Sequence, residues 1–169
     1  MPPRPHPAPS ARSRLRRLAE KAAYDRATIH AILDAMPVAH VAHVVDGAPV
    51  VTPTLIWREG ERIYWHGSTA SQMQRAAAGA QVCVTVTLID GMVLARSGLE
   101  HSVNFRSVML FGRAEPVREA AEKARLLEAM MEGMFPGRWP MLRPMTAQEL
   151  KATAILGLLF FAQPISQGG

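Results

Sequence analysis

The sequence predicts a mainly β domain with peripheral helices, an α+β arrangement built on an antiparallel barrel. Residues 38–66 contain three β-like runs punctuated by Asp46-Gly47 and by the Glu59-Gly60-Glu61 turn. Three more follow in "QVCVTVTLI", "MVLARS" and "NFRSVMLFGRAEPV", and a last apolar segment spans 153–161. Six or seven hairpin-linked strands are too many for a small open sheet under one covering layer. Closure into a barrel removes their edges.

Taken in order, residues 1–10 ("MPPRPHPAPS") are proline-rich and predict an extended segment. The spacing of Leu15, Leu18 and Ala22 predicts a short helix from Ala11. "DRATIHAILDAM" predicts a second, with Asp25 accepting from the orphan N–H groups at its start and Pro37 stopping it. Strands follow near 38–45, 48–58 and 62–66, the first two joined through Asp46-Gly47, whose pairing suits a tight hairpin. Residues 69–79 look helical and end at Gly79. A buried strand begins at Gln81, Asp90-Gly91 turns it, and the strand over 104–117 carries Gly112 as a bulge or bend. Residues 117–133 alternate in helical rhythm up to Pro136-Gly137, and Thr146 with Glu149 forms a capping box that opens a last short helix. Residues 1–24 thus read as a basic arm, 25–162 as one domain and 163–169 as a flexible tail.

Composition excludes several classes of function. A single cysteine, Cys83, rules out an intrachain disulfide and a cysteine-rich zinc site, and fits a reducing, cytoplasmic setting. The longest apolar run, "TAILGLLFFA", is about half the length of a bilayer-spanning helix. The net charge of +5 resides in residues 1–26, where seven Lys/Arg face two acids; the rest of the chain is balanced. With Tyr24 the only aromatic residue in that arm, stacking on nucleic-acid bases has little support. His40 and His43, three apart in a strand, leave opposite faces and cannot share a metal; no protein-bound metal site is expected. Nucleophile-elbow, P-loop and dinucleotide-binding glycine motifs are missing as well.

Two segments carry chemistry. In "RIYWHGSTASQM", Ser68, Thr69 and Ser71 stand at or just before a helix start, where hydroxyls and free N–H groups suit either an ordinary N-cap or an anion. In "HSVNFRSVMLFG", Arg106 interrupts a run that otherwise wants burial. Its guanidinium fits a phosphate, or a structural acid such as Glu115 or Glu100. Asn104 and Arg106 share one strand face and Ser107 the other.

"DGAPVVTPTLIW", "IYWHGSTAS", "VCVTVT", "HSVNFRSVMLFGRA", "FPGRW" and "ELKATAIL", in that order, resemble the pyridoxamine 5′-phosphate oxidase-like, FMN-binding split-barrel superfamily. Within it the chain resembles the branch that includes the nitroimidazole-resistance proteins. The resemblance implies a six-stranded antiparallel split β-barrel and a homodimer with flavin at the interface. It implies an FMN site formed by Thr52, Pro53 and Thr54, by His66, Gly67, Ser68 and Ser71, and by Arg106 and Ser107. The phosphate-binding lysine of the vitamin B6 oxidases is absent from "HGSTASQM", which argues against that activity and leaves Arg106 as the cationic phosphate ligand. By the same resemblance His66 lies at the active pocket, where an imidazole could orient flavin or substrate, donate a proton, or bind haem iron. The implied activity is electron transfer from a reduced nicotinamide to a small acceptor such as a nitro-aromatic; the alternative is a flavin- or haem-binding protein without turnover. The terminal "GLLFFAQPISQGG" departs from the polar, tryptophan-containing tail with which relatives cover the flavin.

Overall fold

The computed structural model describes residues 7–8, 10–16, 21–160 and 166–168. Helix α1 (Arg26–Ala35) opens at Asp25, whose carboxylate accepts from the Thr28 backbone N–H at 2.8 Å. It turns Ile29, Ile32 and Leu33 into the core before Pro37 ends it. Strands β1 (Val38–Val45) and β2 (Ala48–Glu59) form a hairpin through Asp46 and Gly47, both at positive φ as the twist of a two-residue turn demands. Strand β3 (Arg62–Ser68), helix α2 (Gln72–Ala77), strand β4 (Gln81–Val93) and strand β5 (Ser102–Pro116) follow. The chain closes with α3 (Ala120–Met134), α4 (Ala147–Ala152), β6 (Thr153–Leu159) and β7 (Ser166–Gly168).

Six strands close a ring in the order β4-β1-β2-β3-β6-β5, with β5 returning to β4; every pairing is antiparallel. The ladders are uneven. Three long ribbons, β1–β2, β3–β6 and β4–β5, are joined by short seams: three residue pairs between β1 and β4, four between β2 and β3, three between β5 and β6. Those short seams are what split the barrel. Its interior is filled by Val41, Ile63, Trp65, Val84 and Leu110, all shielded from solvent, and α1 adds Ile29 and Ile32 to the same cluster. A second cluster lies outside the wall, where Trp57 and Ile155 pack with Leu126, Leu127 and Met130 of α3.

The structure departs from the sequence reading at several points. Asp90-Gly91 is not a turn: β4 runs through it as a bulge between Ile89 and Gly91, so "MVLARS" supplies the end of β4 and not a strand of its own. The reason is cross-strand, since Asp90 is held by Arg106 of β5. Gly112 stays in register with Val82, so it is no bulge; its missing side chain instead admits Leu158 of β6. Helix α2 is shorter than residues 69–79 because Thr69–Ser71 and Ala78–Gly79 lie outside it. Residues 11–13 form a turn and 14–16 and Ala22 are not helical; residues 17–20 of the expected short helix lie outside the described residues. Within the expected tail, 166–168 pair with Phe105–Ser107. The capping box of Thr146 and Glu149 is present as expected.

Candidate functional site

Cross-strand register fixes which way each predicted ligand points, because directly paired residues share a sheet face. Thr52 lies opposite Val41 and Thr54 opposite Ala39, both fully buried, so the two half-buried threonines face inward. Pro53, opposite the exposed His40, faces outward.

His66 pairs with Ile155 and joins the outer layer under α3 and α4. Its ring tilts against Trp57, centroids 6.1 Å apart, and Trp57 in turn stacks on Tyr64 at 5.8 Å. Burial holds the imidazole below its ordinary pKa, so it is neutral at pH 7. Among the described residues neither ring nitrogen has a hydrogen-bond partner. The buried indole N–H of Trp57 also lacks one.

Gly67 and Ser68 complete β3, and the chain then folds back on itself: the Ser71 N–H donates to the Ser68 carbonyl at 2.9 Å, and the Ala70 N–H to the Ser68 hydroxyl at 3.1 Å. Ser71 occupies the N-cap of α2 without using its side chain for capping. His66, Gly67, Ser68 and Ser71 therefore stand together by local chain geometry.

Arg106 and Ser107 do not join them within one protomer. They lie on the β4–β5 ribbon, opposite Leu88 and Thr87, with β4 and β1 between them and β2. Arg106 grips Asp90 with two nitrogens, Nε to Oδ2 at 2.9 Å and Nη2 to Oδ1 at 2.8 Å, and Nη1 has no partner among the described residues. That guanidinium holds the Asp90 carboxyl below its usual range. The acid partner foreseen for Arg106 thus exists, but it is neither of the named ones: Glu115 pairs with Arg62.

Sequence reasoning missed Asp90 and Trp57. Asp90 was hidden because a bulge and a turn share the Asp-Gly signal. For Trp57 the signal was available: Tyr64 lies directly across from it in the β2–β3 hairpin, and His66 shares that outward face.

Comparison with known proteins agrees with this architecture. The family model described as pyridoxamine 5′-phosphate oxidase matches residues 25–160. The chain is similar to the flavocytochrome Anf3 from Azotobacter vinelandii, with 46% identity and a TM-score of 0.90 over 95% of this chain and 75% of that one. It is similar to an FAD and heme binding protein from Mycobacterium smegmatis, with 39% identity and a TM-score of 0.82 over 87% and 73%. A protein from Bacteroides thetaiotaomicron VPI-5482, described in terms of 5-nitroimidazole antibiotic resistance, shares the fold at 18% identity, TM-score 0.68, over 87% and 88%. No curated protein matches the chain.

Proposed function

The chain belongs to the pyridoxamine 5′-phosphate oxidase family, and from that premise we propose that it is a flavin- and haem-binding electron-transfer protein acting as a homodimer. His66 carries the proposal: a half-buried imidazole, kept neutral by burial, with free ring nitrogens beside an aromatic wall. Neutral imidazole is the form that ligates haem iron, and the stacked rings of Trp57 and Tyr64 stand beside it. Two solved relatives support the pairing of groups, one described as a flavocytochrome and one as binding FAD and heme. The second of them, which binds FAD, makes FAD a candidate beside the FMN expected from sequence, and haem a candidate partner for His66.

The chain fits a flavin as well. Thr52, Thr54 and Ser71 have hydroxyls with no hydrogen bond among the described residues, and Arg106 keeps Nη1 for a phosphate oxygen. The threonines and Arg106 sit on different ribbons and Ser71 caps α2 just beyond a third, which supports a site completed between two copies. In that assembly the threonines and Ser71 would hold the phosphates by donating hydrogen bonds, and Arg106 would supply charge. A bound flavin supplies hydride acceptance from a reduced nicotinamide and one-electron delivery to haem or to a small acceptor.

An absorption spectrum of the purified protein tests this directly. Flavin bands together with a Soret band are expected; His66→Ala removes the Soret band and leaves the flavin, while Arg106→Gln weakens flavin binding about tenfold. A protein that takes up neither added flavin nor added haem refutes the proposal, and haem retained by the His66 variant refutes the ligand.

A further inference from the structure

After Pro116, β5 leaves β6, and a cavity of about 370 Å³ opens between β6, the start of α3 and the C-terminal half of α2. Ile155 and Leu156 give it an apolar floor, and Arg75, Arg118 and Lys123 line it without any Asp or Glu. Neither His66 nor the threonines of β2 take part.

Each cation keeps donors to spare. Lys123 donates to the Thr153 carbonyl at 2.8 Å and, more weakly, to that of Leu150 at 3.4 Å, which leaves its third N–H. Arg75 spends one nitrogen on the Ala70 carbonyl, and Arg118 has no partner among the described residues. Gln74, which also lines the cavity, is a second and independent anomaly. It is only 4% exposed, yet neither end of its carboxamide has a hydrogen-bond partner among the described residues, and its Oε1 is wholly buried. It reaches this place because residue 67 is glycine; a side-chain carbon there would come within 2.7 Å of Nε2. Buried polar groups without partners are rare in proteins. Satisfying this one takes a donor for Oε1 and an acceptor for Nε2.

A secondary amide supplies both, its N–H to Oε1 and its C=O to Nε2. An ammonium would also donate to Oε1, but it would stand among three like charges. The cations require an anion instead, and planar guanidiniums suit the two oxygens of a carboxylate. We propose that this cavity binds an N-acylated amino acid with an apolar side chain, free or as the last residue of a peptide. Its carboxylate meets Arg118, Arg75 and Lys123, its amide pairs with Gln74, and its side chain rests on Ile155 and Leu156. The volume lies at the small end of ligand pockets, which fits one such residue. The inference stands whether or not the flavin reading does.

Calorimetric titration of the full chain with N-acetyl-leucine tests it, with the protein both flavin-loaded and flavin-free. One molecule per chain is expected to bind, equally in both preparations. N-acetyl-leucinamide lacks the carboxylate, and leucine carries an ammonium in place of the amide; each should bind about tenfold more weakly or worse. Acetyl-Gly-Gly-Leu separates the sources: tighter binding than N-acetyl-leucine assigns the site to a peptide end, weaker binding to the free compound. Arg118→Gln, at an exposed position, should weaken N-acetyl-leucine about tenfold. Gln74→Leu, which removes the orphaned polar group and keeps the bulk, should do the same without lowering the melting temperature. Absence of saturable binding by both acylated compounds, leucine or the leucinamide binding as tightly as either, or unaltered affinity in either folded variant overturns the proposal. Displacement of flavin overturns it too, because the ligand would then occupy the flavin site.

Discussion

Replacing Gly112 by alanine adds one carbon where β5 passes from its ladder with β4 to its ladder with β6. That carbon would lie 2.6 Å from Leu158 Cδ1 and 3.1 Å from the Leu159 carbonyl oxygen. Against an ordinary contact limit of 3.4 Å, the first is about 0.8 Å too close and the second about 0.3 Å. Leu158 cannot swing away, since it is completely buried in the barrel interior. Overpacking of this kind costs about 2 kcal/mol, which for a domain of this size lowers the melting temperature by roughly 4–8 °C. Thermal and urea unfolding monitored by circular dichroism would measure it. Because the offending atom belongs to Leu158, the double variant Gly112→Ala/Leu158→Ala should be more stable than the sum of the two single losses allows. An unchanged midpoint in the Gly112 variant, or strict additivity in the pair, would refute the idea that β6 closes against a bare backbone.

Two smaller perturbations probe other links. Asp25→Ala removes the cap of α1 and should cost about 1 kcal/mol in urea unfolding, whereas Asp25→Asn, which keeps an acceptor oxygen, retains most of it. His66 takes up its proton less readily when folded than in the unfolded chain, where it titrates near 6.5. As pH falls through 6.5 the unfolded state gains that proton first, so stability drops between 6.5 and the folded value and levels off below it. His66→Gln should flatten that part of the curve between pH 7.5 and 5.5, and parallel curves for the two proteins would contradict it.

Local chemistry made much of this fold readable in advance. The Asp46-Gly47 hairpin, the Asp25 cap and the Thr146–Glu149 box each depend on residues within a few positions of one another, and all three stand where expected. What failed depended on distant partners. Asp90-Gly91 carries the same letters as a turn, and only Arg106, sixteen residues on, makes it a bulge. Gly112 was marked as irregular, but Leu158 decides how. The candidate site was legible as residue types and illegible as geometry. Alternation along β5 separated Arg106 from Ser107 correctly, yet it could not reveal that the three groups of predicted ligands lie on three different strand pairs. Nor could the isolated carboxamide of Gln74 be foreseen, since its lack of partners is a property of what surrounds it.

The uneven ladders have a consequence for how ligands and stability depend on each other. Each long ribbon is internally well paired, so the amides that exchange first with solvent should belong to the three- and four-pair seams. Thr52–Thr54, His66–Ser68 and Arg106–Ser107 fall one group to each ribbon, with Ser71 just beyond the second. Arg106 and Ser107 would join the other two groups only from a second copy. A molecule touching all three would therefore fasten the ribbons of two barrels to each other and steady joints that the backbone itself leaves weak. Its binding free energy would then appear as slowed hydrogen exchange at the seams and a melting temperature that climbs with ligand concentration.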